Sequence, residues 1–229
     1  MTSARTLHAH LLDSLGLALT SGQYPSGTVL RLDELTAKYG VSRTVGREAV
    51  RVLEALRMVR SRPKIGMIVL PVAEWNLFDP QLIRWRLAGA DRRELLKQLS
   101  QLRAAVEPAA AGLAATAATT EQCTELLRLA DLMRKQAVAG DLPGFVDADV
   151  AFHRLVFLAS GNGLFVQVGE VTGQVLHGRA ELPDLRATAL DWHAQVAEAV
   201  AAGNSGEAER VSRCIVLDTA AELDRMLET

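Results

Sequence analysis

Residues 30–69 read LRLDELTAKYGVSRTVGREAVRVLEALRMVRSRPKIGMIV, and this stretch decides the fold of the front of the chain. Apolar residues recur at helical spacing from Leu32 to Tyr39, and Gly40 is a C-terminal stop. Ser42 is a good N-cap for a second helix, Arg43 to Leu56. Helix, tight glycine turn, capped helix is the helix-turn-helix layout. Two short β-like runs follow, 58–61 and 67–71, joined by Arg62-Pro63-Lys64-Ile65-Gly66. They predict a hairpin, the wing of a winged helix. Upstream, residues 4–20 carry helical apolar spacing and end in the turn-forming stretch SGQYPSG, Ser21 to Gly27.

The chemistry of this segment suits double-stranded DNA. Ser42, Arg43, Thr44 and Arg47 stand at the start of one helix, where free N–H groups and partial positive charge favour a phosphate. Short hydroxyls can approach the backbone, and an arginine can read guanine through two hydrogen bonds. Lys64 and Gly66 mark the wing tip, which can reach the minor groove or a phosphate. Arg31, just before the first helix of the pair, completes the set. The bland reading is a solvated helix face with three arginines; turn, cap, arginines and basic hairpin together outweigh it.

Charge is divided along the chain. Residues 1–72 hold ten Lys/Arg against five Asp/Glu, and the remainder holds fifteen against twenty-two. A basic front and an acidic back imply two domains with different partners. We read residues 1–72 as the winged helix, 73–80 as a linker and 81–229 as an all-helical domain. Helical patterns run over 81–88, 92–116, 120–139, 142–160, 162–181, 187–202 and 205–227. Breaks fall at Gly140-Asp141, Gly161-Asn162 and Gly203-Asn204, and Pro108 is expected to kink or divide the second pattern. Six or seven helices with short loops predict an antiparallel bundle, so the fold class is mainly α. The two cysteines, Cys123 and Cys214, form no CxxC pair and support neither a zinc ribbon nor a disulfide framework. There is no signal-peptide pattern and no apolar run of membrane-spanning length. The expectation is a soluble, cytoplasmic protein.

The segment 40–66 resembles the winged helix of the GntR family, whose hallmark is GVSRTxxREAxxxLxxxGLV followed by a hairpin. Gly40-Val41-Ser42-Arg43-Thr44, Arg47-Glu48-Ala49 and Gly66 carry the likeness. Two positions depart from it. Gly46 replaces an aliphatic residue, which should loosen the helix by roughly 1 kcal/mol. Arg57 replaces a glycine, so it must accept a left-handed conformation or alter the turn.

In the helical half, Asp149 and His153 are four residues apart on one helix face, and His193 lies on a later helix. An Asp and two His converging inside a bundle can hold a divalent metal. By spacing alone, such a pair is more often a surface salt bridge. This half also resembles the FCD domain of the FadR-type GntR subgroup, through Asp149, Phe152, His153, Gly161, Asn162, His193, Ala199, Val200 and Gly203. The resemblance implies a metal held by Asp149, His153 and His193. Zinc is expected first, with nickel or manganese as alternatives. Many members carry a further histidine where this chain has Ile215; water, the effector or His177 would complete the shell. Arg103 matches an arginine that pairs with a carboxylate effector in relatives, while an ion pair with Glu107 on the same helix explains it equally well. Arg179 and Trp85 are weaker pocket candidates. Residues 75–87 resemble the linker of the sugar-acid branch.

The resemblance thus implies a homodimeric repressor. It would bind a palindromic operator and be released by a small carboxylate effector, a sugar acid or hydroxy acid. A metal-dependent hydrolase with a DNA-binding front is the competing class. It lacks a general base, a phosphate loop, a nucleophile elbow and an HExxH motif.

Overall fold

A computed structural model of the chain describes residues 4–178 and 187–227. The side chain of His177 and the whole of Arg179 lie outside the described residues. Helix α1 spans Ala4–Thr20, α2 Leu32–Tyr39 and α3 Arg43–Ala55; strands are β1 Val29–Leu30, β2 Val59–Arg62 and β3 Gly66–Val69. A short 3₁₀ turn, Val72–Glu74, precedes α4, Pro80–Leu87. Then come α5 Arg92–Ala117, α6 Thr120–Ala139, α7 Leu142–Ala159, α8 Gly163–Gly178, α9 Ala187–Ala201 and α10 Ser205–Leu227. The chain forms two compact units, 1–92 and 93–229.

In the first unit, Gly40 ends α2 in the left-handed region at φ 63°, and the Ser42 hydroxyl caps α3 by accepting from Val45 N. The three strands form an antiparallel sheet in the order β1-β3-β2. Its outermost strand, β1, has only two residues, too few for a periodic pattern, which is why only the β2–β3 hairpin is legible in the sequence. Leu11, Leu15 and Leu19 of α1 meet Leu53 of α3 and Met67 and Val69 of β3 in one core. Arg57 takes the first of its two options, a left-handed turn at φ 57°. Gly46 also has a packing role. It is buried, and a Cβ there would stand 2.7 Å from Thr36 Cγ2 and 2.8 Å from Leu32 Cδ1. The missing methyl lets α2 lie close on α3.

Residues 81–92, grouped from the sequence with the helical half, pack inside the first unit. Trp85 is buried in the winged-helix core, not in a bundle pocket. Its indole donates to Asp13 Oδ1 at 2.9 Å, and the Gln81 amide donates to the same oxygen at 3.0 Å. The indole lies flat against Gly16 of α1, so tightly that any Cβ at Gly16 would overlap the ring. Gly16→Ala is therefore expected to lower the stability of this unit by about 1–3 kcal/mol through overpacking. Denaturant unfolding followed by tryptophan fluorescence measures it; unchanged stability would show that Trp85 is free to move aside.

In the second unit the breaks follow the glycine-asparagine logic. Gly161 and Gly203 turn at φ 69°, then Asn162 and Asn204 accept backbone N–H groups of the next helix. Thr119 and Gln122 form a capping box on α6, and Asp141 caps α7. Pro108 lies within α5, which continues through it as one helix. Ala110, Ala111 and Ala114 of α5, Leu126 and Met133 of α6, Phe152 and Phe157 of α7, Val196 and Val200 of α9, and Val211 and Ile215 of α10 form the core. Small residues on α5 let its neighbours approach closely.

Candidate metal centre and DNA-facing surface

Three side chains from two helices converge beside the bundle core. Asp149 and His153 come from α7, His193 from α9. Their facing atoms form a nearly equilateral triangle: His153 Nε2 to Asp149 Oδ1 is 3.4 Å, His193 Nε2 to Asp149 Oδ1 is 3.2 Å, and the two Nε2 atoms are 3.3 Å apart. An ion with tetrahedral bonds of about 2.0–2.1 Å has ligand–ligand edges of about 3.3–3.4 Å. The triangle thus fits one face of a zinc-sized coordination shell. Asp149 Oδ1 is buried and, despite these short distances, makes no aligned hydrogen bond. A buried carboxylate oxygen left so is costly unless something charged occupies the focus of the triangle.

The outer nitrogens of both imidazoles are held. His193 Nδ1 lies 2.6 Å from the Ala189 carbonyl oxygen. His153 Nδ1 lies 3.0 Å from Glu107 Oε2 on α5. Each ring therefore uses Nδ1–H as donor and turns Nε2 inward, the arrangement that fixes metal-ligating histidines. Phe152 meets both imidazoles edge-on, with centroids 5.8 Å and 5.2 Å away, and restricts their rotation. Ile215, at the position of the family's further histidine, is buried in the core and offers no ligand atom.

Of the two accounts the sequence left open for Arg103, the ion pair with Glu107 is present. Its Nε donates to Glu107 Oε1 at 2.5 Å and its Nη2 to Oε2 at 3.3 Å. Its Nη1 is buried with no protein partner. One guanidinium thus balances Glu107 and keeps a donor in reserve. Burial disfavours the Glu107 carboxylate, but Arg103 and then His153 outweigh it and hold its pKa down at about 2. Burial likewise opposes charge on His153, yet Glu107 and Asp149 raise its pKa to about 9. Asp149 is held well below the usual carboxylate range by the two histidines, against the effect of its burial. The role of Glu107 as the group orienting His153 escaped sequence reasoning; its position four residues after Arg103 pointed only to a helix ion pair.

On the first unit, Ser42, Arg43, Thr44 and Arg47 are exposed at the start of α3. They are not equivalent. Arg43 pairs with Asp33 of α2 at 3.0 Å, whereas Arg47 has no ion-pair partner among the described residues and lines a groove of about 290 Å³ between α3 and the hairpin. Arg51 and Arg62, not singled out from the sequence, line the same groove. Arg31 precedes α2, exposed, 3.9 Å from Glu34. Lys64 sits at the wing tip with φ 62°, beside Gly66 at φ 126°. A side chain at Gly66 would strike the Leu30 carbonyl oxygen at 2.6 Å, so close pairing of β1 with β3 requires glycine. Glu54 of α3 accepts from Ser61 N at 2.8 Å and ties the hairpin to the recognition helix.

Two family profiles match the chain, one in each unit. The profile of bacterial regulatory proteins of the gntR family matches residues 7–69, and that of the FCD domain matches 98–217. The chain belongs to the FCD-containing GntR family of bacterial transcription regulators, which are DNA-binding proteins and not enzymes. It is 29% identical over 202 residues to the Escherichia coli regulator YieP, an uncharacterized HTH-type transcriptional regulator, covering 87% of this chain and 88% of that one. It is 29% identical over 157 residues to the Escherichia coli galactonate operon transcriptional repressor, covering 68% and 67%. A solved GntR structure from Streptococcus agalactiae superposes with a TM-score of 0.56 at 25% identity, covering 93% and 99%. Among the described residues no helix is long and apolar enough to cross a membrane.

Proposed function

We propose that the chain is a cytoplasmic, homodimeric repressor of sugar-acid genes. Each winged helix takes half of a palindromic operator in double-stranded DNA. A small hydroxy-carboxylate then binds at a divalent metal held by Asp149, His153 and His193, and releases the operator. The observation that carries this reading is the triangle of ligand atoms, joined through Glu107 to Arg103 with its spare Nη1. When bound, a divalent ion supplies positive charge and open coordination positions that suit a ligand's oxygen atoms. Arg103 Nη1 suits a carboxylate oxygen, through a charge-assisted hydrogen bond. The galactonate repressor among the relatives supports the sugar-acid class. The unpartnered polar atoms of the site are buried, so a ligand that reaches them favours whichever arrangement of the helices admits it.

The test uses a duplex operator selected from random DNA and zinc-loaded protein, titrated with sugar acids. Wild type should bind the duplex and release it on addition of a sugar acid. The double variant His153→Ala, His193→Ala should contain no metal by elemental analysis, keep operator binding and lose release. Release that persists unchanged in the double variant would sink this reading.

Metal uptake should also depend on pH in a definite sense. His153 is protonated in the metal-free protein up to about pH 9, and that proton must leave before Nε2 can take a metal. Zinc affinity is therefore expected to tighten by about ten-fold per pH unit between pH 7 and 9. Calorimetry in buffers of different ionisation enthalpy should show release of about one proton. A pH-independent affinity would show that His153 is neutral before the metal arrives.

A further inference from the structure

Three buried side-chain polar atoms among the described residues have no hydrogen-bond partner in the protein: Asp149 Oδ1, Arg103 Nη1 and Ser100 Oγ. The first two belong to the groups already discussed. Ser100 does not. It is 4% exposed and lies one turn before Arg103 on α5. Ser100, Arg103 and Glu107 form a buried stripe at i, i+3 and i+7, so the serine shares the helix face that carries the arginine.

A hydroxyl inside a helix has a partner at hand, the carbonyl three or four residues back. This chain uses it repeatedly. Thr20 donates to Gly16 O, Thr36 to Asp33 O, Thr116 to Leu113 O, Thr124 to Thr120 O and Ser160 to Phe157 O. Ser100 forgoes it, although burial makes an unpaired hydroxyl costly. A serine kept only for packing would be better served by alanine, which also favours the helix.

We propose that Ser100 is a specificity contact of the effector site, hydrogen-bonding a ligand hydroxyl remote from the acid end. The proposal rests on the reading of the site given above, in which the triad and Arg103 take the acid end. A serine hydroxyl both donates and accepts, as a sugar hydroxyl does, whereas the arginine can only donate and suits the anion. Three unsatisfied groups of different chemistry along one site describe a ligand with a carboxylate at one end and hydroxyls along its chain, an aldonic acid in place of a plain carboxylate.

Ser100→Ala tests this in the zinc-loaded full chain, by calorimetry with gluconate, galactonate, mannonate and xylonate. The comparison probe is 2-hydroxyhexanoate, which keeps the acid and its neighbouring hydroxyl but lacks the remote ones. For the aldonate that wild type binds best, the variant should lose about ten-fold or more in affinity. Binding of 2-hydroxyhexanoate should be unchanged. The melting temperature of ligand-free protein should be equal or higher in the variant, because an unpaired hydroxyl has been removed. Equal losses for both probes, or none for either, would overturn the role of Ser100 while leaving the site reading intact. A lowered melting temperature with no selective loss would assign the serine to structure. If wild type binds no aldonate, the reading of the site as a sugar-acid receptor falls, and this proposal with it.

Discussion

Replacing Glu107 by alanine is expected to cost the metal-free protein about 3–5 kcal/mol of stability and to weaken zinc binding about 10- to 100-fold. Glu107 is 1% exposed and Arg103 is 2% exposed. Without the carboxylate, the guanidinium stays buried with no acceptor, and that uncompensated charge dominates the loss. Zinc affinity falls for a separate reason: His153 Nδ1 loses its acceptor at 3.0 Å, and with it the constraint that turns Nε2 inward. Glu107→Gln separates the two effects. It keeps an acceptor for His153 but no charge for Arg103, so it should recover much of the zinc affinity and little of the stability.

The pH profile of metal-free stability provides a further readout. Glu107 has a depressed pKa, so its contribution is full above about 4.5 and is lost as pH falls toward about 2. His153 has a raised pKa, so its contribution is full below about 6.5 and is lost as pH rises through about 9. Wild type should be most stable between these limits, and Glu107→Gln should flatten the alkaline side. A stability loss below 1 kcal/mol in Glu107→Ala would mean that Arg103 reaches solvent or another carboxylate when its partner is gone.

Much of this architecture is legible in the sequence, because its signals are local. Helix ends are set by neighbouring residues: Gly40 and Ser42 around the first turn, Asp141 before α7, and the Gly-Asn pairs after α7 and α9. The triad is legible for a related reason. The i, i+4 spacing puts Asp149 and His153 on one face, and only His193 has to arrive from elsewhere. What escapes is decided by contacts between distant segments. Nothing near Trp85 shows that Gly16, far earlier in the chain, leaves a flat bed for its indole, so the packing of α4 against α1 is not legible locally. The packing role of Gly46 escapes in the same way, because propensity does not register how closely α2 approaches. For Arg103, spacing pointed to the ion pair with Glu107 but not to the Nη1 that this pair leaves unused. Ser100 carried no signal, since a serine in a helix shows its character only by the bond it fails to make.

Arg47→Ala is expected to weaken operator binding ten-fold or more without changing the melting temperature. Arg47 projects from the second turn of α3, exposed and without an ion-pair partner among the described residues, over the groove that Arg51 and Arg62 also line. An arginine without a partner has no internal ion pair to break on reaching a base edge or phosphate. Two hydrogen bonds to guanine contribute about 1–3 kcal/mol of discrimination, and the upper half of that range exceeds ten-fold. Arg43 is the control within the same helix. Its pair with Asp33 at 3.0 Å must open or be shared before it can contact DNA, so Arg43→Ala should cost less, and Asp33→Ala should tighten binding by freeing it. The salt dependence sorts the roles further. Loss of a phosphate contact lowers the slope of log affinity against log salt by about one, whereas loss of a base contact leaves the slope and relaxes sequence preference at one position. Arg47→Ala should keep the slope and lose the preference. If it lowers the slope instead, Arg47 is a backbone contact, and base reading passes to Arg43 or Thr44. If neither affinity nor slope changes, α3 does not enter the groove by the end that carries Arg47.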